Sequence, residues 1–199
     1  MALTDLPDRP WPVAREIEWE LVDFGGTLES ELGGCDQRVN RLGNRWQVTV
    51  PLPAMDMTAA REWSALLVRG LRTGVRWKII QPGTPTGSPG NVLVAGAGQA
   101  GFVLNVDGGT PGYPARRGQF FSILTGGRRF VHQIADPQRI AGDGTAALPV
   151  EPAMRVVPAD NAVVELGRPY LEGLIRTPRW KLDADQLARG ISLTIREAR

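Results

Sequence analysis

Apolar and polar residues alternate in short segments along most of this chain. In residues 16–21 glutamate alternates with Ile, Trp and Leu, and in residues 45–50 Arg, Gln and Thr alternate with Trp and Val. A period of two is typical of a β-strand with one buried and one solvent-exposed face. The residues between these segments are polar and rich in glycine. We therefore predict two strands, with a long hairpin or loop within residues 22–46.

The hydrophobic period changes in residues 57–71, where apolar side chains recur every three or four positions. That spacing places them on one face of an α-helix. Asp56 or Thr58 can cap the start, and Gly70 or Gly74 can end the helix. We expect the stripe to face the core, with Trp63 buried against the sheet. The residues of the stripe are Ala59, Trp63, Leu66, Leu67 and Leu71.

Short apolar segments then recur about every ten residues, a spacing typical of a β-sandwich or barrel. They are separated by turn-forming residues, mainly Gly, Pro, Asn and Asp. We predict a mainly β fold, a sandwich or barrel-like domain of short antiparallel strands with one packed helix, forming a single domain over residues 1–199. The segments are residues 75–79, 92–95, 102–106, 119–124, 130–135, 147–150, 163–166 and 191–195.

One glycine motif has the spacing of a dinucleotide-binding site. Gly96, Gly98 and Gly101 follow an apolar strand in the pattern G-x-G-x-x-G, which in that site opens a helix whose N-terminus holds a pyrophosphate. Here the motif continues into FVLNVD and then GGTPGYP, in which no helix can form. We predict a tight turn between two strands. An NAD-type enzyme is retained as a remote alternative.

Residues that carry chemistry at neutral pH are scarce in this sequence. Cys35 and His132 are the only cysteine and the only histidine, which excludes an internal disulfide and nearly every imidazole or thiolate metal site. We interpret His132 as a structural residue, because no nucleophile motif accompanies it. Asp143 and Gly144 indicate a hairpin turn. We predict no catalytic residue, no cofactor and no metal site, and we expect that the chain is not an enzyme.

The charge balance and the N-terminal sequence limit the partners further. With 23 basic and 21 acidic residues, the chain lacks the strong field of a nucleic-acid binder, and we expect no sequence-specific nucleic acid. The pairs at 116–117 and 128–129 are interpreted as solvated strand ends. The N-terminal residues resemble no signal peptide, and no segment is long and apolar enough for a membrane span. We therefore expect synthesis in a cytoplasm and no membrane insertion.

The order of its motifs gives the chain a specific resemblance. From about residue 15 to residue 197 it resembles the small distal tail and baseplate-hub proteins of long-tailed, non-contractile bacteriophages and of related gene-transfer particles. Many such proteins carry an acidic residue in the segment matching RRGQFFSI, where this chain has Gln119. The matching motifs in order are QRVNRLGNRWQVTVPLP, AAREWSALLVRGL, VRWKIIQPG, VAGAGQAGFVL, PARRGQFFSIL, DGTAALPVEPAMR and SLTIRE.

This resemblance implies a structural protein of the virion tail. It implies a homo-oligomeric ring at the end of the tail tube, linking the tube to the tail tip and contacting the neighbouring tail-tube and tail-hub proteins. Trp11 and Trp180 are flanked by prolines and charges, so we predict them as assembly-interface anchors; scattered surface aromatics are the other interpretation. The alternative function is a carbohydrate-binding or adhesin-like β-sandwich module, with aromatic side chains stacked on sugars.

Overall fold

A computed structural model describes residues 2–7, 16–29, 33–182 and 187–198, with the backbone alone for residues 177–180, 182 and 187. The described chain is mainly β with one helix, as the sequence predicts. Its strands form a seven-stranded sheet, a closed six-stranded barrel and two small two-stranded pairs. One cluster of buried apolar side chains lies between the sheet and the helix, and a separate cluster lies in the barrel.

The strands range from two to 13 residues in length. In order they are β1 (Thr4–Asp5), β2 (Glu18–Val22), β3 (Gly26–Leu28), β4 (Gln37–Val39), β5 (Arg45–Pro51), β6 (Met55–Asp56), β7 (Val75–Lys78), β8 (Gly90–Val94), β9 (Gly101–Gly109), β10 (Pro114–Ala115), β11 (Phe120–Thr125), β12 (Arg128–Ile134), β13 (Gln138–Arg139), β14 (Ala146–Met154), β15 (Val163–Glu165), β16 (Tyr170–Leu182) and β17 (Leu187–Glu197). The helix α1 spans Met57–Thr73, between β6 and β7.

In the chain, the segment that forms the barrel is inserted between two strands that are neighbours in the sheet. The sheet has the order β1-β7-β16-β17-β5-β2, and β6 pairs with β17 beside this path. β7 and β16 are hydrogen-bonded partners, although the barrel strands β8, β9, β11, β12, β14 and β15 lie between them in the chain. β1 is parallel to β7, and the other pairs of this sheet are antiparallel.

The helix forms where the sequence predicts it and is two residues longer at its C-terminal end. The Asp56 side chain accepts hydrogen bonds from the backbone N–H groups of Thr58 and Ala59, at 2.8 and 2.9 Å, which caps the first turn. Gly74 follows the last turn with a φ of 76°, in the left-handed region where glycine carries no Cβ penalty. Both ends therefore follow from local sequence.

The helix packs through Trp63 and Leu67, which are buried as expected, while Leu66 is half-buried. The expected burial of Leu71 is wrong, since its side chain is 47% exposed. A Cβ added at Gly70 would lie 2.5 Å from Val75 and 2.9 Å from Ile175. The helix therefore packs closely on the sheet at position 70, and the next side chain, Leu71, lies in solvent.

The long strand β16 was not predicted, although its 13 residues occupy the centre of the sheet. Its sequence contains Gly173 and Pro178 and lacks a clean alternation, both of which lower strand propensity. A Cβ at Gly173 would lie 2.2 Å from the carbonyl oxygen of Arg196 on β17. The glycine therefore permits a close approach of two strands, a tertiary requirement that no local pattern reports.

The glycine motif lies in the turn between β8 and β9, as predicted. Gly96, Gly98 and Gly101 have φ values of 88°, 81° and 85°, and the two strands are antiparallel partners. The strand β9 begins at Gly101, the last glycine of the motif, so strand and not helix follows the turn. The arrangement therefore lacks the helix N-terminus on which a pyrophosphate site of this kind depends.

Candidate assembly surfaces and the junction between sheet and barrel

His132 is a buried member of the barrel. Its ring nitrogen Nδ1 lies 2.9 Å from the carbonyl oxygen of Pro152, and because a carbonyl only accepts, Nδ1 carries the proton. Burial, together with the smaller effect of the positive charge of Arg155, lowers the pKa of His132 to about 4, although the hydrogen bond to Pro152 acts in the opposite direction. The ring is therefore neutral at pH 7, and its hydrogen bond and burial fit the structural role predicted for it.

Other residues considered for chemistry have local structural partners. Asp143 accepts hydrogen bonds from the N–H and hydroxyl of Thr145, at 3.0 and 2.7 Å, so it stabilises a turn at the predicted position. The predicted hairpin is wrong, because the turn joins β13 to β14, and these strands pair with β10 and with β9 and β12 and not with each other. Cys35 is exposed near β4. Arg117 forms an ion pair with Asp136. Within the described residues, no group of three or more His, Cys, Asp or Glu side chains has the geometry of a metal site.

Gln119 is fully enclosed and has three hydrogen-bond partners. Its Nε2 donates to the Tyr113 hydroxyl at 2.8 Å and to the Leu166 carbonyl at 3.1 Å, and its Oε1 accepts from the Arg116 N–H at 3.1 Å. A neutral amide supplies both donors and an acceptor. An ionised carboxylate would only accept, so the glutamine at this position fits a structural role in this barrel.

Two clusters of charge join the barrel to the sheet, at the surface that we call the junction. In the first, Arg129 on β12 donates to Glu165 on β15 at 2.9 Å and to Glu172 on β16 at 2.7 Å. The guanidinium also lies over the Tyr170 ring, 5.3 Å from its centroid. Hydrogen bonds to Glu165, and then to Glu172, raise the pKa of Arg129 against the effect of burial.

The second junction cluster is centred on Glu197, the last residue of β17. Its Oε1 accepts from the Arg155 guanidinium at 2.6 Å and from the Val131 N–H at 2.8 Å, and its Oε2 accepts from the Trp46 N–H at 3.2 Å. Burial raises the pKa of the Glu197 carboxyl, while Arg155 and the two N–H groups oppose that rise. One carboxylate therefore joins a sheet strand, a barrel strand and the segment that follows β14.

Aromatic packing completes the junction. Trp19 stacks on Phe120 of the barrel, with ring centroids 4.3 Å apart, and contacts Trp46 and Trp77 at 6.0 and 5.9 Å. Such pairs add to the free energy of plain apolar burial. Together with Trp63 in the helix, four of the six tryptophans pack in or against the core of the sheet.

Sequence reasoning missed the residues of both junction clusters. Arg129 was interpreted as part of a solvated pair, and Glu197 only as a terminal acidic residue of the motif SLTIRE. Their partners are 36, 43 and 66 positions away in the chain, so no local spacing brings them together. One signal was present for Glu197: it falls on the buried parity of its strand, after Leu193 and Ile195.

The two predicted interface anchors are not tested. Trp11 lies outside the described residues, and Trp180 belongs to the backbone of β16 with its side chain outside the described part. Their role as anchors stays a prediction.

One exposed surface of the described chain is a hairpin. β3 and β4 pair with each other, and we call residues 26–29 and 33–39 the hairpin arm. Leu28 is 60% exposed, and the described residues of the arm are exposed or half-exposed. At its base, Asp23 pairs with Arg38. The arm therefore lies outside both hydrophobic cores.

No model of a known protein family matches this chain, and no curated protein matches it. Among the residues that the structure describes, no helix has both the length and the apolar character needed to cross a membrane.

Proposed function

We propose that this chain is a structural virion protein, a ring-forming distal tail or tail-hub component that links the tail tube to the tail tip. The resemblance of its motif order to such proteins supports this function. So does the hairpin arm, the observation that carries most weight. The proposal includes no enzymatic activity and no cofactor.

The arm supports the proposal because a hairpin of this kind gains little stability from its own chain. An isolated two-stranded hairpin is at best marginally stable in water, and this one keeps Leu28 in solvent at 60% exposure. Docking on a second copy would bury that side chain and stabilise the arm. A contact between an arm and a different surface of the next copy is heterologous, and repeated heterologous contacts form a ring when the rotation between copies closes.

The edge strand β2 adds a second surface for assembly. In the described part of the sheet, β2 pairs only with β5 and leaves its other edge without a strand. An edge of this kind offers N–H and C=O groups to another chain. The other edge is formed by β1, which has two residues. The sheet therefore has two unlike edges, as a head-to-tail arrangement requires.

Native mass spectrometry and electron microscopy of the purified protein test the proposal. We expect rings for the wild type and monomers for a variant in which residues 27–38 are replaced by Asn-Gly. This replacement should preserve the rest of the fold, because Gly26 and Val39 are paired neighbours that a two-residue turn can join. Leu28→Ser should weaken the ring, whereas Leu71→Ser, at an exposed leucine on the helix, should not. A wild type that stays monomeric at high concentration and with its neighbouring tail proteins present would contradict the proposal.

The alternative, a carbohydrate-binding or adhesin-like module, has less support. Sugar stacking needs accessible aromatic faces, and Trp46, Trp63 and Trp77 are buried, while Trp19 is stacked on Phe120. A glycan array, with tryptophan fluorescence as a second readout, separates the two functions. Binding to host polysaccharide by a protein that forms no ring would favour the alternative.

A further inference from the structure

A cleft lies beside the base of the hairpin arm, where the sheet meets the barrel. Its walls come from three parts of the chain, namely β2, the segment that runs from β4 to β5, and the barrel strands β9 and β14. The cleft has a volume of about 370 Å³. Its apolar side chains belong to neither hydrophobic core. We call it the arm-base cleft.

Three large apolar side chains line this cleft and are exposed to solvent. Leu42, on the segment between β4 and β5, is 63% exposed, Phe102 of the barrel is 52% exposed, and Leu21 of β2 is 38% exposed. Single exposed apolar side chains are ordinary on a protein surface, but a concave group of them marks a site of interaction. The cleft therefore has the character of a docking surface, and burial of these side chains in a contact would be favourable.

The walls of the cleft are held in place by hydrogen bonds to the rest of the fold. The Asn44 carbonyl accepts from the Arg155 guanidinium at 3.3 Å, and the Asn44 side chain accepts from the Phe24 N–H at 2.8 Å. On the barrel wall, the Pro152 carbonyl accepts from the His132 ring at 2.9 Å. A preformed surface loses little conformational entropy when a partner binds. The cleft is therefore built to receive a partner without rearrangement.

The charges that line the cleft favour an acidic partner along one wall. Arg41 is exposed on the segment between β4 and β5, and within the described chain no carboxylate forms an ion pair with it. Arg38, on the same wall, pairs with Asp23. Glu151 lies on the barrel wall. An acidic segment should therefore lie along the Arg41 wall and away from Glu151.

We propose that the arm-base cleft of one copy receives the hairpin arm of a second copy. Residues 26–37 contain three acidic residues and no basic residue, a charge that complements Arg41. On the same arm, Leu28 is 60% exposed and supplies an apolar side chain that the cleft can bury. The assignment rests on the proposed function, in which the arm contacts the next copy, and it adds the surface on which the arm docks.

The arm does not fill the cleft of its own copy. Leu28 on the arm and Leu42 in the cleft are each at least 60% exposed, whereas two side chains packed on each other would be mostly buried. The arm and the cleft are different surfaces, so each copy can give its arm to one neighbour and receive the arm of another. Such a contact is heterologous and repeats from head to tail.

Substitutions in the cleft test its part in assembly, measured by native mass spectrometry over a range of concentrations. Leu42→Ser and Phe102→Ser change exposed side chains on two different walls, so both variants should keep the melting temperature of the wild type. We expect each to assemble at least about tenfold more weakly, as Leu28→Ser does. The matched control is Leu71→Ser, at an exposed leucine on the helix, which should assemble like the wild type.

A charge reversal tests whether the arm and the cleft contact each other. Arg41→Glu should weaken assembly, and so should Glu29→Arg combined with Asp36→Arg on the arm. A protein that carries all three changes should recover assembly, because the two reversed surfaces attract again. Arg69→Glu, at an exposed arginine on the helix, should have no effect. A triple variant that assembles no better than Arg41→Glu would overturn the contact.

The outcomes separate this contact from the ring itself. Wild-type rings that Leu42→Ser and Phe102→Ser form equally well would overturn the cleft as the docking surface and leave the ring supported. A wild type that forms pairs in place of rings, with the same sensitivity to the cleft and to charge reversal, would support the contact and contradict the ring. A wild type that stays monomeric with its neighbouring tail proteins present would contradict both.

Discussion

The charged side chains on the two faces of the seven-stranded sheet differ in burial and in hydrogen bonding. Arg196 and Glu197 are consecutive residues of β17 and lie on opposite faces. On the inner face, Glu197 is 2% exposed and binds three donors from three parts of the chain. On the outer face, Arg196 is half-buried beside an open cavity, and its Nε has no partner.

This difference separates charges that stabilise the fold from charges at the surface that contribute little to it. A buried ion pair whose members are fully hydrogen-bonded is costly to break, because removal of one partner leaves the other unsatisfied in a dry environment. An outer-face charge without a partner has no such role in the fold. The inner face should therefore govern stability, and the hairpin arm should govern assembly.

The largest effect is expected at the junction, from Glu197→Ala. This change leaves Arg155 and two backbone N–H groups without their acceptor, and it should lower the free energy of unfolding by about 3–5 kcal/mol. Urea unfolding followed by circular dichroism measures the loss. The matched control is Arg196→Ala, one residue away, which should cost less than about 1 kcal/mol. Equal losses at the two positions would break the comparison between the faces.

A comparable loss is expected from Trp63→Ala in the helix. Trp63 is 5% exposed within the inner core, so its truncation leaves a cavity that should cost about 3–5 kcal/mol. On heating, we expect this variant to lose its fold before it loses its assembly. Differential scanning calorimetry measures the unfolding, and native mass spectrometry measures the assembly. A variant with the melting temperature of the wild type that no longer forms rings would instead place Trp63 in a subunit interface.

A pH dependence should follow from His132. Its pKa is lowered to about 4 in the folded chain, whereas in the unfolded chain it is about 6.5. Between these values the unfolded state binds a proton that the folded state excludes, so stability falls as the pH drops from about 6.5 to 4, by an amount on the order of 3 kcal/mol. Above pH 7 this contribution is constant.

Urea unfolding at several pH values, with His132→Gln as the comparison, isolates that contribution. His132 is the only histidine of the chain, so the variant should show a shallower decline between pH 6.5 and 4.5 than the wild type. Parallel curves for the two proteins would show that the ring takes up its proton equally in both states.

The smallest effect on stability is expected in the hairpin arm. Leu28→Ser lies outside both cores, and it should change the free energy of unfolding by less than about 0.5 kcal/mol, while it weakens the ring. Chemical unfolding and native mass spectrometry on the same sample measure both effects. A large loss of stability in the monomer would show that the arm packs on its own subunit.

The sequence by itself determined the elements whose causes are local. The cap at Asp56 and the glycine at position 74 define the two ends of the helix, because their hydrogen bonds and φ preferences act within one turn. The turn at 96–101 followed from the same reasoning, since the residues after it cannot form a helix. The mainly β class, with its one helix, followed from the hydrophobic periods.

Only the tertiary structure decided how distant segments meet. It placed β16 at the centre of the sheet, closed the barrel between β7 and β16, and exposed Leu71. It brought Glu197 to Arg155 and gathered three arginines around one cavity. These contacts join residues far apart in the chain, and their free energy depends on burial and on exact partners. The alternation of side chains along a strand predicts that residues 196 and 197 point to opposite faces, but only tertiary packing determines what each face contacts.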